Sequence, residues 1–452
     1  MPKFEFSSLT LLLAQIASIV LVSRGIGLVT RWLGQPLVIA EILAGILLGP
    51  SLLGWVSPGA MTALFPDSSL PILRMLSQIG LVVFMFLVGL ELDPKLLRGR
   101  TQSSIAISHA SIVVPFGLGA AAAFWLYAPY SSADVPFLSF LLFLGVSMSV
   151  TAFPVLARIL SERGQLTSRV GAIAIACAAV DDVTAWCLLA FVVAIARAQG
   201  AASAAWTTGL AAAFILVMLF VARPLLLRVS ARVTSREQLT PSIIAMILVA
   251  LIASSIATEL IGIHALFGAF LLGAALSKNA RLAAVLIERL ETVAVVLFLP
   301  LFFAYSGLRT QIGLVTEPRE WLVTLALILI ATVGKFGGSA IAARLTGLGW
   351  REASAIGILM NTRGLMELII LNIGFDLGVI SQTVFTMLVI MALVTTFATT
   401  PVFRRVSPDR GLADPRTRPA AAAAGAPAQF PAIMHVADPG ADSELGQHYP
   451  RC

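Results

Sequence analysis

Two adjacent aspartates, Asp181 and Asp182, lie in the middle of an apolar segment that is long enough to cross a lipid bilayer. A carboxylate at the centre of a membrane costs about 2.5 to 3.5 kcal/mol, so it is retained only where a partner charge, a cation or a proton compensates it. The pair therefore predicts a site that handles protons or cations. Because neighbouring helix residues point in different directions, we expect the two aspartates to have different roles. A structural ion pair that joins two helices is the alternative interpretation.

Lys335 is the predicted counter-charge for this pair. Counted at 1.5 Å per residue from Arg344, it lies near the middle of a hydrocarbon core about 30 Å thick. A lysine there needs a buried acidic partner, unless its flexible stem carries the ammonium group to the membrane surface. We therefore expect Lys335 to contact one of the two aspartates.

Two apolar segments contain residues that interrupt helices. In the first, Pro154 removes a helical hydrogen bond and frees a backbone carbonyl near Thr151. In the second, residues 360–367 read Met-Asn-Thr-Arg-Gly-Leu-Met-Glu, a composition that favours an unwound stretch. Interrupted helices at corresponding positions of two halves are typical of inverted-repeat transporters. Arg363 and Glu367 are spaced i, i+4 on one helix face, and we interpret them as a structural ion pair.

The composition identifies a membrane protein. The chain has 452 residues, of which 58% are hydrophobic and only 12% charged, against roughly 25% charged in soluble domains. We predict an all-α integral membrane protein with about thirteen transmembrane helices. The predicted spans lie near residues 9–29, 37–55, 71–91, 104–128, 136–160, 169–197, 205–229, 241–260, 262–278, 288–306, 320–344, 352–374 and 379–402.

The basic residues give an orientation and the C-terminal residues give a domain boundary. Lys and Arg concentrate in the odd-numbered connections between spans, which places these loops in the cytoplasm, the N-terminus outside and the C-terminus inside. The net charge of +7 therefore reflects topology and does not predict nucleic-acid binding. Residues 1–405 form the predicted transmembrane domain, and residues 406–452 a disordered cytoplasmic tail rich in Ala and Pro. No nucleotide-binding fingerprint occurs in the sequence.

Several stretches together resemble the second cation:proton antiporter superfamily, which includes bacterial Kef-like and NapA-like exchangers and plant CHX proteins. They are spread over most of residues 30 to 375, and as a set they are more specific than any one motif. The stretches are PLVIAEILAGILLGP at 36–50, FLVGLELD at 86–93, SVTAFPVLAR at 149–158, VDDV at 180–183, GIHALFGAF at 262–270 and NTRGLMEL at 361–368.

The resemblance implies an NhaA-type inverted-repeat fold with a dimerisation part, a mobile core and two crossed, discontinuous helices. By motif match, Asp182 would bind the cation, Na⁺ or K⁺, or the proton. Asp181 would pair with Lys335, and Thr151 would lie near the ion. The pair of aspartates indicates electrogenic exchange.

The resemblance implies a function as well as a fold. The implied protein is a homodimeric monovalent cation:proton antiporter of the plasma (inner) membrane that works by alternating access. It would be no enzyme and would have no resident cofactor, because Na⁺ or K⁺ and H⁺ are its cargo. A potassium efflux channel-like transporter or a cation-coupled solute symporter on the same scaffold remains the alternative.

Overall fold

A computed structural model describes residues 7–91, 102–132, 134–162, 165, 168–197, 201–226, 228, 241–277 and 279–406. Within these ranges the regular structure is helical and no strand occurs. Residues 407–452 lie outside the described part, so the disordered tail stays a prediction. The helices, numbered in chain order, are α1 Ser8–Trp32, α2 Leu37–Leu48, α3 Leu53–Val56, α4 Pro58–Leu64, α5 Leu70–Glu91, α6 Gln102–Tyr130, α7 Phe137–Ser149, α8 Phe153–Glu162, α9 Arg169–Arg197, α10 Ala201–Val217, α11 Pro241–Ile261, α12 Ala265–Leu276, α13 Ala280–Val293, α14 Leu299–Leu308, α15 Pro318–Thr332, α16 Gly338–Leu345, α17 Trp350–Met360, α18 Leu365–Asp376 and α19 Gln382–Val406.

Several helix starts follow from local sequence. At α1, the Ser7 side chain accepts a hydrogen bond from the Thr10 backbone N–H at 3.2 Å. At α15, Glu317 and Glu320 form a reciprocal capping box and Pro318 occupies the first turn. Side-chain oxygens at these positions satisfy N–H groups that have no partner inside the helix, and proline loses no helical hydrogen bond in the first turn.

Most of the helices are long enough to cross a membrane. Nine segments of the described residues meet the requirements of length and hydropathy, and ten do if Trp350–Met360 and Leu365–Asp376 form one bent span. In each of the thirteen predicted segments most of the described residues are helical, but a count of thirteen spans is not confirmed. Three predicted spans do not meet the requirements for a membrane span, because the helices there are interrupted or short. They are 136–160, 262–278 and 288–306.

The helices pack in two groups. The first helix group contains α1 to α5 and α10 to α14, and the second helix group contains α6 to α9 and α15 to α19. Within the first group, α5 and α12 approach closely at Gly89 and Gly273, where an added Cβ would lie 2.2 Å from a backbone oxygen of the other helix. Small residues allow such backbone contact between membrane helices. Contacts across the two groups include those between α14 and α18.

Ion pairs at one end of α18 join the two groups. Asp376 accepts hydrogen bonds from Arg309, just after α14, at 2.6 Å and from Arg74 in α5 at 2.9 Å. Arg309 also donates to Asn372 at 2.9 Å and lies 4.3 Å from the ring centre of Phe375. The Asp376 side chain is only 17% exposed, so water screens these pairs incompletely.

We expect Asp376→Asn to lower the free energy of unfolding by about 1 to 3 kcal/mol, because it removes the charge that both arginines share. The measurement is unfolding by a denaturing detergent. Glu352→Gln is the matched control, since Glu352 lies 3.8 Å from Arg169 and both side chains are at least 36% exposed; its effect should stay below about 0.5 kcal/mol. Equal losses for both variants would contradict a stabilising role of the Asp376 pairs.

Two interrupted helices cross in the second helix group. One break separates α7 from α8 at residues 150–152, and the other separates α17 from α18 at residues 361–364, where the helix axis bends by 42°. The backbone N–H of Ala152 donates to the Thr362 carbonyl at 2.9 Å, so the breaks are bonded to each other. Pro154 falls in the first turn of α8, where its missing N–H costs nothing. The predicted pair of discontinuous helices is confirmed.

Candidate functional site

Asp181 lies beside the crossing and is surrounded by hydrogen-bond donors. Its Oδ1 accepts from Ser108 Oγ at 2.9 Å. Its Oδ2 accepts from Ser111 Oγ at 2.5 Å, Thr151 Oγ1 at 2.9 Å and Lys335 Nζ at 3.1 Å. The Asp181 and Lys335 side chains are fully buried. The Lys335 ammonium group and three hydroxyl groups therefore compensate the Asp181 carboxylate.

Lys335 connects Asp181 to the end of an interrupted helix. Its Nζ also donates to the Ser111 carbonyl at 2.8 Å and to the Ser149 carbonyl at the end of α7. The last carbonyls of a helix lack partners within it and carry partial negative charge, so an ammonium group is well placed there. Lys335 lies in a single π-helical turn, Val333–Gly337, between α15 and α16. Such turns occur often at functional sites.

Asp182 has a different environment from its neighbour. It is 3% exposed, and its Oδ1 accepts no hydrogen bond from any residue that the structure describes. Trp186, one turn further along the same face of α9, stacks on Phe270 of α12 with ring centres 5.9 Å apart. This face of α9 is therefore directed toward the first helix group. Asp182 presents an uncompensated carboxylate oxygen near the boundary of the two groups.

Arg363 and Glu367 form a second buried ion pair, 2.5 Å long, beside the crossing. The Arg363 guanidinium also donates to the carbonyls of Ser147 at 2.7 Å and Met148 at 2.8 Å, in the last turn of α7. Glu367 lies in the first turn of α18, where a carboxylate interacts favourably with the positive end of the helix dipole. The pair thus stabilises two ends of the interrupted helices.

We expect Arg363→Ala to destabilise the protein by about 3 to 5 kcal/mol, because it leaves the Glu367 carboxylate and two helix carbonyls without their donor. Thermal unfolding in detergent is the measurement. The double variant Arg363→Met with Glu367→Gln should lose less than Arg363→Ala, since it leaves no buried charge unpaired. A double variant less stable than the single one would contradict the structural role of this pair.

The predicted site residues assemble as two sets. Asp181, Lys335 and Thr151 are in contact, and Arg363 is bonded to Glu367. Thr151 Oγ1 lies 2.9 Å from Asp181 Oδ2 and 3.2 Å from the Met360 carbonyl, and its single hydrogen can be donated to one of them at a time. The expectation from the sequence placed Thr151 near an ion held by Asp182. The structure places two further residues, which the sequence analysis did not predict, in contact with Asp181.

The added residues are Ser108 and Ser111 of α6, both of which donate to Asp181. The sequence contained a signal for them, because residues 104, 108 and 111 are all serines and lie on one helical face. Serine is common in membrane helices, however, so this spacing alone does not indicate a partner.

Comparison with known proteins identifies the family. A family model described as "Sodium/hydrogen exchanger, transmembrane" matches residues 16–405. The chain belongs to the sodium/hydrogen exchanger family. The antiporter family predicted from the motifs is confirmed, and this exchanger is a multi-pass membrane transporter and not an enzyme.

Two relatives and one solved structure show how far the similarity extends. The exchanger is 43% identical over 405 residues to Na(+)/H(+) antiporter NhaS4 of Synechocystis sp.. The matched region covers 89% of this chain and 99% of the relative. It is 36% identical over 411 residues to K(+)/H(+) antiporter 1 of Saccharomyces cerevisiae, covering 89% of this chain but 47% of that relative. The exchanger thus spans about half the length of the yeast protein.

The solved structure is that of the sodium proton antiporter MjNhaP1 from Methanocaldococcus jannaschii at pH 8. It matches with a TM-score of 0.64 at 13% identity and covers 88% of this chain and 97% of that one. At 13% sequence identity, this similarity is evidence for a shared fold alone. The predicted all-α antiporter fold is confirmed.

Proposed function

We propose that this exchanger moves a monovalent cation, Na⁺ or K⁺, in exchange for protons by alternating access, and that Asp182 carries either cargo. The observation that supports this most directly is the buried Oδ1 of Asp182, which accepts no hydrogen bond from a described residue. A buried carboxylate without compensation is costly, and a bound cation or proton removes that cost. Carboxylate oxygens suit hard cations.

Asp181 and Asp182 have separate roles in this mechanism. Asp181 is held by Lys335 and by hydroxyl groups that include Thr151. It therefore shapes the site and balances charge, whereas Asp182 remains free to bind cargo. Both aspartates lie on α9, beside the bonded breaks of the crossed helices, so they move together with the second helix group.

Exchange follows from competition for one carboxylate. A proton and a cation cannot both neutralise Asp182, so the arrival of one releases the other. When Asp182 is empty and charged, moving it across the hydrocarbon region is unfavourable by about 2.5 to 3.5 kcal/mol, which opposes movement without cargo. Movement of the second helix group relative to the first would expose the site to each side in turn.

Several further properties are part of the proposal. We place the exchanger in the plasma membrane as a homodimer, with its N-terminus outside and its C-terminus in the cytoplasm, in agreement with the distribution of basic residues. The cyanobacterial relative is named for Na⁺ and the yeast relative for K⁺, so both ions are candidate cargo.

Proton flux in proteoliposomes tests the proposed function. Gradients of Na⁺, K⁺, Li⁺ or Rb⁺ are imposed in turn, with and without a clamped membrane potential. We expect a cation gradient to drive proton movement in the opposite direction. Proton flux that depends on an organic solute would favour a symporter, and cation flux without proton movement would favour a channel-like transporter. Either result would contradict the proposed exchange.

A further inference from the structure

Asn361 occupies the first position of the break between α17 and α18. The residue is 8% exposed, and its Oδ1 is buried and accepts no hydrogen bond from a described residue. Unlike a hydroxyl group, an amide oxygen cannot become a donor by rotating, so it needs a donor or a cation from elsewhere. Buried oxygens of this kind are normally satisfied.

The residues on both sides of Asn361 are bonded to the other break. The carbonyl of Met360 lies 3.2 Å from Thr151 Oγ1, and the carbonyl of Thr362 accepts from the Ala152 N–H at 2.9 Å. Thr151 Oγ1 is in turn 2.9 Å from Asp181 Oδ2. The backbone on both sides of Asn361 is therefore held against the break between α7 and α8, where Thr151 contacts Asp181.

The unbonded atoms of Asp182 and Asn361 are both acceptors. Neither Oδ1 can donate a hydrogen bond while Asp182 is charged, so a single cation bound by both oxygens would satisfy both. Carboxylate, amide and backbone carbonyl oxygens are the ligands that hard cations prefer. A neutral amide and a single carboxylate together would give a ligand charge suited to a monovalent ion.

We propose that Asn361 Oδ1 is a ligand of the transported cation and contributes to the choice among Na⁺, K⁺, Li⁺ and Rb⁺. The inference rests on the proposed function, because it requires the cation to bind at Asp182. The attraction between an ion and an oxygen falls as their distance increases. Loss of this ligand therefore weakens binding of the small ions Li⁺ and Na⁺ more than binding of Rb⁺.

The test compares apparent KM values for the four cations in proteoliposomes, measured at alkaline pH where competition by protons is weak. Asn361→Ala should raise the KM for Na⁺ about tenfold, which corresponds to about 1.4 kcal/mol, and the KM for Rb⁺ by clearly less. Asn361→Asp keeps an oxygen and adds a charge, so its KM values should be lower than those of Asn361→Ala. Asn361→Ser replaces Asn361→Ala if the alanine variant does not fold.

Asn372 provides the matched control. It is equally buried, but its amide donates to Ser306 Oγ at 2.7 Å and its Oδ1 accepts from Arg309 at 2.9 Å. Asn372→Ala should therefore leave the ratio of the Na⁺ and Rb⁺ KM values unchanged, whatever its effect on stability.

The Asn361 variants and the Asp182→Asn variant test different statements. Unchanged KM values and ratios in every Asn361 variant would overturn the inference and leave the proposed function intact. Exchange that persists in Asp182→Asn would overturn the proposed function itself.

Discussion

Exchange should be lost in Asp182→Asn, while the protein remains at least as stable as the wild type. Asparagine has nearly the same shape as aspartate but cannot carry the charge that attracts a cation or takes up a proton. For two unit charges 4 Å apart, an effective dielectric constant near 20 gives about 4 kcal/mol, or about a thousandfold in affinity. Because Asp182 Oδ1 has no partner among the described residues, the substitution removes an uncompensated buried charge and breaks no observed ion pair.

The measurements are proton flux in proteoliposomes and unfolding in detergent on the same preparation. Glu352→Gln serves as the control, since its carboxylate is partly exposed and pairs only loosely with Arg169 at 3.8 Å; its flux should match that of the wild type. Flux in Asp182→Asn within tenfold of the wild-type value would refute the assignment of Asp182. A large loss of stability would instead indicate that Asp182 has a structural partner.

Lys335→Gln should destabilise the exchanger by about 3 to 5 kcal/mol, because it leaves the buried Asp181 carboxylate without its counter-charge. Glutamine can donate to one of the carbonyls of Ser111 and Ser149, but it cannot balance a charge. The free energy of unfolding in a denaturing detergent measures the effect. This loss should exceed that of the Asp376→Asn variant, whose side chain is partly exposed.

A second substitution separates the ion pair from packing. The double variant Lys335→Gln with Asp181→Asn has no unpaired charge at this place, so it should regain most of the lost stability. Losses that simply add would show that Asp181 and Lys335 do not stabilise each other.

The charged part of the site could be predicted from the sequence. Asp181, Asp182 and Lys335 are prominent because charges are rare in apolar segments and each needs compensation. Arg363 and Glu367 are recognisable as a pair because their spacing places them on one face of a helix. The two interruptions could also be predicted, since Pro154 and the run from Asn361 to Gly364 disfavour continuous helix.

Other parts of the molecule gave no readable signal. The carbonyls of Ser147, Met148 and Ser149 accept hydrogen bonds from the buried side chains of Arg363 and Lys335. Every residue has a backbone carbonyl, so the sequence does not indicate which carbonyls make such contacts. The pairing of Asp376 with Arg74 joins residues about 300 positions apart, which depends on how the helix groups meet. The predicted count of thirteen spans is not confirmed, because several short helices reach membrane length only when they are counted with their neighbours.

The buried acidic and basic side chains of the second helix group determine its net buried charge. Among its described residues, five acidic or basic side chains are at most 3% exposed, namely Asp181, Asp182, Glu367, Lys335 and Arg363. Three carboxylates against two bases leave one negative charge, which either one monovalent cation or one proton cancels. Under the proposed mechanism, a one-for-one exchange therefore carries no current and responds to concentration gradients alone. A cycle driven by the membrane potential requires a second proton for each cation that moves in the opposite direction.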